Sequence, residues 1–109
     1  MSSRTYRVVV RGVFDQLDEA QRTRLRDQLA AHDLFASAFT ERGSLTYDAA
    51  LSPFSHRVVV QVEGGPGEED DAHAAGELSA MAALEELGVA WRRLRSTVTC
   101  TDDVKVRRR

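Results

Sequence analysis

The run Thr5-Tyr6-Arg7-Val8-Val9-Val10-Arg11-Gly12-Val13-Phe14 decides the fold. β-Branched and aromatic residues fill it, so it reads as a strand. Val8, Val9 and Val10 put apolar groups on both faces, the pattern of a central strand. A second run, His56-Arg57-Val58-Val59-Val60-Gln61-Val62-Glu63, repeats that makeup. Between and after the two lie helical segments. Asp18 and Gln21 form a capping-box pair that starts a helix running to about His32. Gly64-Gly65-Pro66-Gly67 breaks the chain, and a second helix is expected from about Asp70 to Leu87. Its expected seam is Leu78, Met81 and Ala82, with Leu84 and Leu87 close by. Gly88 is its natural stop.

Weaker strands complete the order. Leu34 to Thr40 and Leu45 to Asp48 flank a turn at Glu41-Arg42-Gly43-Ser44, where Gly43 is free to take a positive φ. Ala49 to Phe54 contains Ser52-Pro53 and reads as a loop. Val89 to Thr101 is the last strand. The expected fold is α+β, a ferredoxin-like β-α-β-β-(β)-α-β sandwich. Its sheet is mainly antiparallel, with both helices on one face. If Leu45–Asp48 and His56–Glu63 are separate strands, the sheet has five and is mixed. If they form one interrupted strand, it has four. Residues 1–101 make one α+β domain, and residues 102–109 a charged tail expected to be disordered.

Composition narrows the chemistry. The chain has 109 residues, 42% hydrophobic and 29% charged, enough for one small core. No apolar run approaches the ~18 residues of a membrane helix, and no apolar signal segment precedes the first strand. A soluble, cytoplasmic protein with no membrane partner is expected. Cys100 is the sole cysteine, so it forms no internal disulfide and reads as a small buried hydrophobe. His32, His56 and His73 show no metal-ligand spacing and are expected to be structural or surface residues. Of the 15 cationic side chains only Lys105 is a lysine, which disfavours Schiff-base chemistry. No phosphate-cradling glycine loop and no nucleophile elbow is present. No cofactor and no metal are expected.

Charge is distributed unevenly. The net charge is −2, which makes no case for nucleic acid. Glu63 to Glu86 holds eight acids and no Lys or Arg, whereas Arg92 to Arg109 is dominated by cations. Side chains alternate faces along a strand. With Val8, Val10, Val58, Val60, Val62, Leu94, Val98 and Cys100 inward, the other face carries Arg7, Arg11, Arg57, Arg93 and Arg95, with Trp91 at one end. These six are the candidate ligand- or interface-binding residues. A homodimer, a small anionic ligand or a partner protein are the expected occupants. Sheet-face RNA recognition needs exposed aromatics on central strands, and valines and arginines stand there. Tyr47 as proton donor, Asp48 as base and His56 as acid or base are the candidate catalytic residues.

Three stretches carry a family resemblance: Arg4 to Phe14, Ala38-Phe39-Thr40-Glu41-Arg42-Gly43-Ser44-Leu45-Thr46-Tyr47-Asp48, and Leu94 to Thr99. They resemble a family of small uncharacterised actinobacterial proteins, a domain of unknown function. The resemblance extends over nearly the whole chain and implies a fold and a kind of source, with no catalytic residue to carry over. The element order is also similar to that of acylphosphatases. Here Gly12 stands alone and the chain contains no asparagine, so that activity is set aside.

Two functional expectations follow. The first is a homo-oligomeric binding or accessory module that uses the arginine face. The second is a cofactor-independent small enzyme of the dimeric α+β-barrel type, of the kind found in secondary metabolism.

Overall fold

The computed structural model describes residues 3–29 and 39–101. Its elements are β1 (Ser3–Asp15), α1 (Glu19–Asp27), β2 (Ser44–Tyr47), β3 (Pro53–Glu63), α2 (Glu68–Leu87) and β4 (Ala90–Cys100). The four strands form one antiparallel sheet in the order β2-β3-β1-β4. The fold is therefore α+β, with the expected central strand at β1.

The described residues form four strands although β2 and β3 are separate, which departs from the expectation that separate strands here make five. β2 and β3 are separate and antiparallel, with Leu45 opposite His56 and Tyr47 opposite Phe54. The run before Gly43 adds only an isolated parallel bridge, Thr40 to Val58, among the described residues; Leu34 to Ala38 lie outside them. Pro53, read as loop, opens β3 opposite Val13. A first strand residue is a position where proline's missing N–H is tolerated. The tail from 102 onward also lies outside the described residues.

Helix boundaries follow their local chemistry. Asp18 accepts from the Gln21 N–H and the Gln21 side chain accepts from the Asp18 N–H, both at 2.8 Å. That reciprocal box starts α1, which ends at Asp27, short of the expected His32. Gly88 ends α2 in the left-handed region at φ 73°.

The helix seam differs from expectation. Leu78 is 64% exposed, while Ala72, Ala80 and Leu84 are completely buried. The seam is the four-residue series Ala72, Gly76, Ala80 and Leu84. The reason is close approach. A Cβ at Gly76 would sit 2.4 Å from Val8 Cγ1, so the α2 backbone lies almost directly on β1. Only small side chains fit that gap, and the larger Leu78 turns outward.

Two apolar clusters fill the covered side of the sheet. Near α1, Phe14, Leu25, Leu45, Tyr47, Leu51, Phe54, Leu84 and Val89 pack together. Phe14 meets Tyr47 edge-on at 5.5 Å and Phe54 at 5.1 Å. Under the first half of α2, Tyr6, Val8, Val10, Val58, Ala72, Ala80 and Cys100 form the second cluster. Cys100 is thus the small buried hydrophobe the sequence suggests.

Candidate functional site

The open face of the sheet follows from strand register. Arg11 stands directly opposite Arg95, and Val9 stands between Arg57 and Thr97. Arg7 lies between Val59 and Thr99. Arg7, Arg11, Arg57 and Arg95 therefore share one face with the half-buried Val9, Val13 and Val59. Arg7 lies over the Phe39 ring at 5.3 Å, a cation–π contact. Arg57 donates weakly to Thr46 Oγ1 at 3.4 Å. None of the four makes an ion pair with a described carboxylate.

The two remaining face candidates land differently. Trp91 is opposite Phe14 and packs against the aromatic cluster, on the covered side of the sheet. This corrects the expected outward placement. The cause is an irregularity opposite Gly12: pairing shifts between Arg11 and Val13, so Arg95 faces Arg11 but Arg92 faces Val13. Arg93 sits in that bulge at φ 61°. One extra residue reverses the alternation for everything before it. Arg92, which simple parity places inward, lies outside instead and meets Asp15 at 3.3 Å.

The covered side holds a groove of about 740 Å³ between α1, α2 and the turn before β2. His56 forms part of its wall. His56 is 1% exposed, and its Nε2 lies 2.9 Å from Ser79 Oγ on α2. Its Nδ1 is buried with no hydrogen-bond partner. Burial pushes the imidazole down to about 4, so it is neutral at pH 7. Gly43, at φ 90°, passes so close that a Cβ there would fall 2.3 Å from His56 Nε2. Arg24, Arg42 and Glu86 stand around the groove, and Leu45, Ala82, Ala83 and Leu87 supply its apolar surface.

Of the catalytic candidates, only His56 lines this groove. The Tyr47 hydroxyl is buried and donates to the Leu25 carbonyl at 2.7 Å, tying β2 to α1. Burial raises its pKa. Asp48 is exposed, and its Oδ1 accepts from the Ala50 N–H at 3.0 Å, shaping the loop before β3. No cluster of three or more metal-binding side chains occurs among the described residues, and no described helix is long and apolar enough to cross a membrane.

The sequence profile of one protein family matches residues 1–109. The chain belongs to DUF6204, a family of unknown function. No curated protein and no solved structure matches it. Membership agrees with the resemblance carried by the first strand and the Gly43 turn, and it brings no chemistry with it.

Two further polar clusters join residues far apart in the sequence. Glu68, the first residue of α2, accepts from the Tyr6 hydroxyl at 2.5 Å and from Arg4 Nε at 3.1 Å. The Tyr6 bond, then the Gly65 N–H and Arg4, hold its carboxyl down to about 2. The same bond, with burial, raises the Tyr6 phenol. Farther along α2, His73 Nδ1 lies 2.6 Å from Ser96 Oγ, which donates to Glu77 Oε2 at 2.6 Å. The i, i+4 spacing of His73 and Glu77 was a visible hint of a shared helix face. Ser96 opposite them required the strand register.

Proposed function

We propose that the chain is a binding or accessory module, built on the ferredoxin-like β-α-β-β-α-β plan, that engages anionic groups through its open sheet face. The element order, with β1 between β3 and β4, supports the plan. The observation that carries the functional reading is the direct pairing of Arg11 with Arg95. Like charges opposite one another on a sheet destabilise it. No described carboxylate neutralises them. A bound phosphate or carboxylate group between the two guanidiniums would relieve that repulsion, and guanidinium forks suit such anions.

A second reading is favoured by Val9, Val13 and Val59, which give the face an apolar stripe. Here the open face closes a homodimer of the dimeric α+β-barrel type, with or without enzymatic activity in the enclosed space. Light scattering at low and high salt, with and without inorganic phosphate, separates the two. A monomer whose thermal midpoint rises with phosphate, and no longer does so in Arg11→Gln/Arg95→Gln, supports the first reading. A dimer that persists at high salt supports the second, because salt screens exposed charges but not apolar burial. A monomer with no response to phosphate counts against both.

A further inference from the structure

The groove over His56 lies on the opposite side of the sheet from the arginine face, and its chemistry is independent of it. A neutral imidazole carries one N–H and one bare nitrogen. The hydrogen bond made by one nitrogen decides where the proton sits. Were the proton on Nδ1, a buried donor would be left unpaired. Proteins avoid an orphaned buried N–H more strictly than an unused acceptor. The proton is therefore assigned to Nε2, and His56 donates to Ser79 Oγ across 2.9 Å.

This assignment fixes what Ser79 can do. Its oxygen is occupied as an acceptor, and its own O–H has no described acceptor. The half-buried Ser79 thus presents a hydrogen-bond donor to the groove. The same assignment removes a nucleophilic role. An activated serine hands its proton to a base, and here the imidazole is the donor.

The surroundings select the acceptor. Arg24 and Arg42 bring two positive charges to the groove, against the single carboxylate of Glu86. One donor nitrogen of Arg24 is held by the Leu87 carbonyl at 2.7 Å, which leaves Arg42 as the freer guanidinium. Ala83 and Leu87 offer an apolar surface beside them. We propose that this groove binds a small organic monocarboxylate, with its carboxylate on Ser79 Oγ and Arg42 and its apolar body against Ala83 and Leu87. A site with an apolar wall and a few convergent polar groups is the usual form of a small-molecule pocket. Glu86 disfavours ligands with a second negative charge.

The test is an NMR titration of the full chain with benzoate, acetate and benzamide at millimolar concentration. Benzoate is expected to shift the amides of residues 42–45 and 79–87. It should bind about tenfold tighter than benzamide, which lacks the charge, and than acetate, which lacks the body. Arg42→Gln and Ser79→Ala should each weaken benzoate by about tenfold. Arg11→Gln/Arg95→Gln should leave it unchanged, which separates this site from the sheet face. Arg42 is exposed, so that variant stands even if Ser79→Ala fails to fold. Long-range nitrogen–proton correlations of the His56 ring should show the proton on Nε2. Equal binding of benzamide and benzoate overturns the proposal. So do shifts confined to the sheet face, no binding at all, or a proton found on Nδ1.

Discussion

Neighbouring residues of one strand live under opposite constraints here. Val8 and Val10 are completely buried beneath α2, while Arg7 and Arg11 beside them face solvent and Val9 is half-buried. On the covered face, shape decides what is allowed. Gly76 meets Val8 with no room for a methyl group, and Leu84 fills the junction between the helices and the aromatic cluster. On the open face, charge decides, and the sheet tolerates an arginine directly opposite an arginine. On the covered face packing sets what is allowed, whereas the open face sets two like charges, Arg11 and Arg95, directly opposite each other.

Substitutions should separate the faces by size of effect. Leu84→Ala removes a completely buried side chain and is expected to cost about 2–5 kcal/mol in urea unfolding. An effect below about 1 kcal/mol would mean the cluster near α1 is not a packed core. Gly76→Ala should cost about 1–3 kcal/mol, because Val8 cannot retreat from the sheet. Neutral behaviour there would show that α2 can lift.

Acid should weaken the covered face in a predictable window. The folded imidazole of His56 sits at about 4, below its ordinary 6.5. The unfolded chain therefore binds the extra proton first as pH falls. Its contribution is complete above about 6.5, is lost as pH drops toward 4, and changes no further below that. Glu68, held at about 2 rather than 4.5, adds a separate loss beginning below about 4.5. Urea midpoints measured across this range should fall in both intervals. His56→Gln should flatten the upper one only, and an unchanged slope would remove His56 as its cause.

The smallest effect belongs to the open face. Arg95→Gln relieves the repulsion with Arg11 and should raise stability by about 0.2–1 kcal/mol. The gain should shrink at high salt. A loss of stability would mean that Arg95 has a stabilising contact and that the face is not strained.

Local signals explain which parts were readable. Val8, Val9 and Val10 run between Arg7 and Arg11, Asp18 and Gln21 stand three apart, and Gly88 follows a helix. Each is a short-range pattern with one physical reading, and the strands and helix ends follow from them. Alanines surround α2 almost evenly, so its burial pattern follows the close approach to β1 rather than the size of Leu78. The seam signal is the set of small residues Ala72, Gly76 and Ala80 spaced four apart, since only small residues let a helix touch a sheet. Trp91 falls on the covered side because of a bulge that depends on pairing with β1. Nothing around Arg93 in sequence announces it. The partnership of His56 with Ser79 joins a strand to a mid-helix serine, and no local pattern links them.

The path of β4 has a practical consequence. The strand begins at the aromatic cluster with Trp91 and ends in the other cluster with Cys100. These are the chain's sole tryptophan and sole cysteine. The native protein thus contains a fluorophore in one half of its interior and a protected thiol in the other. Emission and thiol-labelling rates report on the two halves separately, with no engineered label. Coincident transitions would mark a single cooperative unit, and a thiol that reacts before the emission changes would locate the first opening under α2.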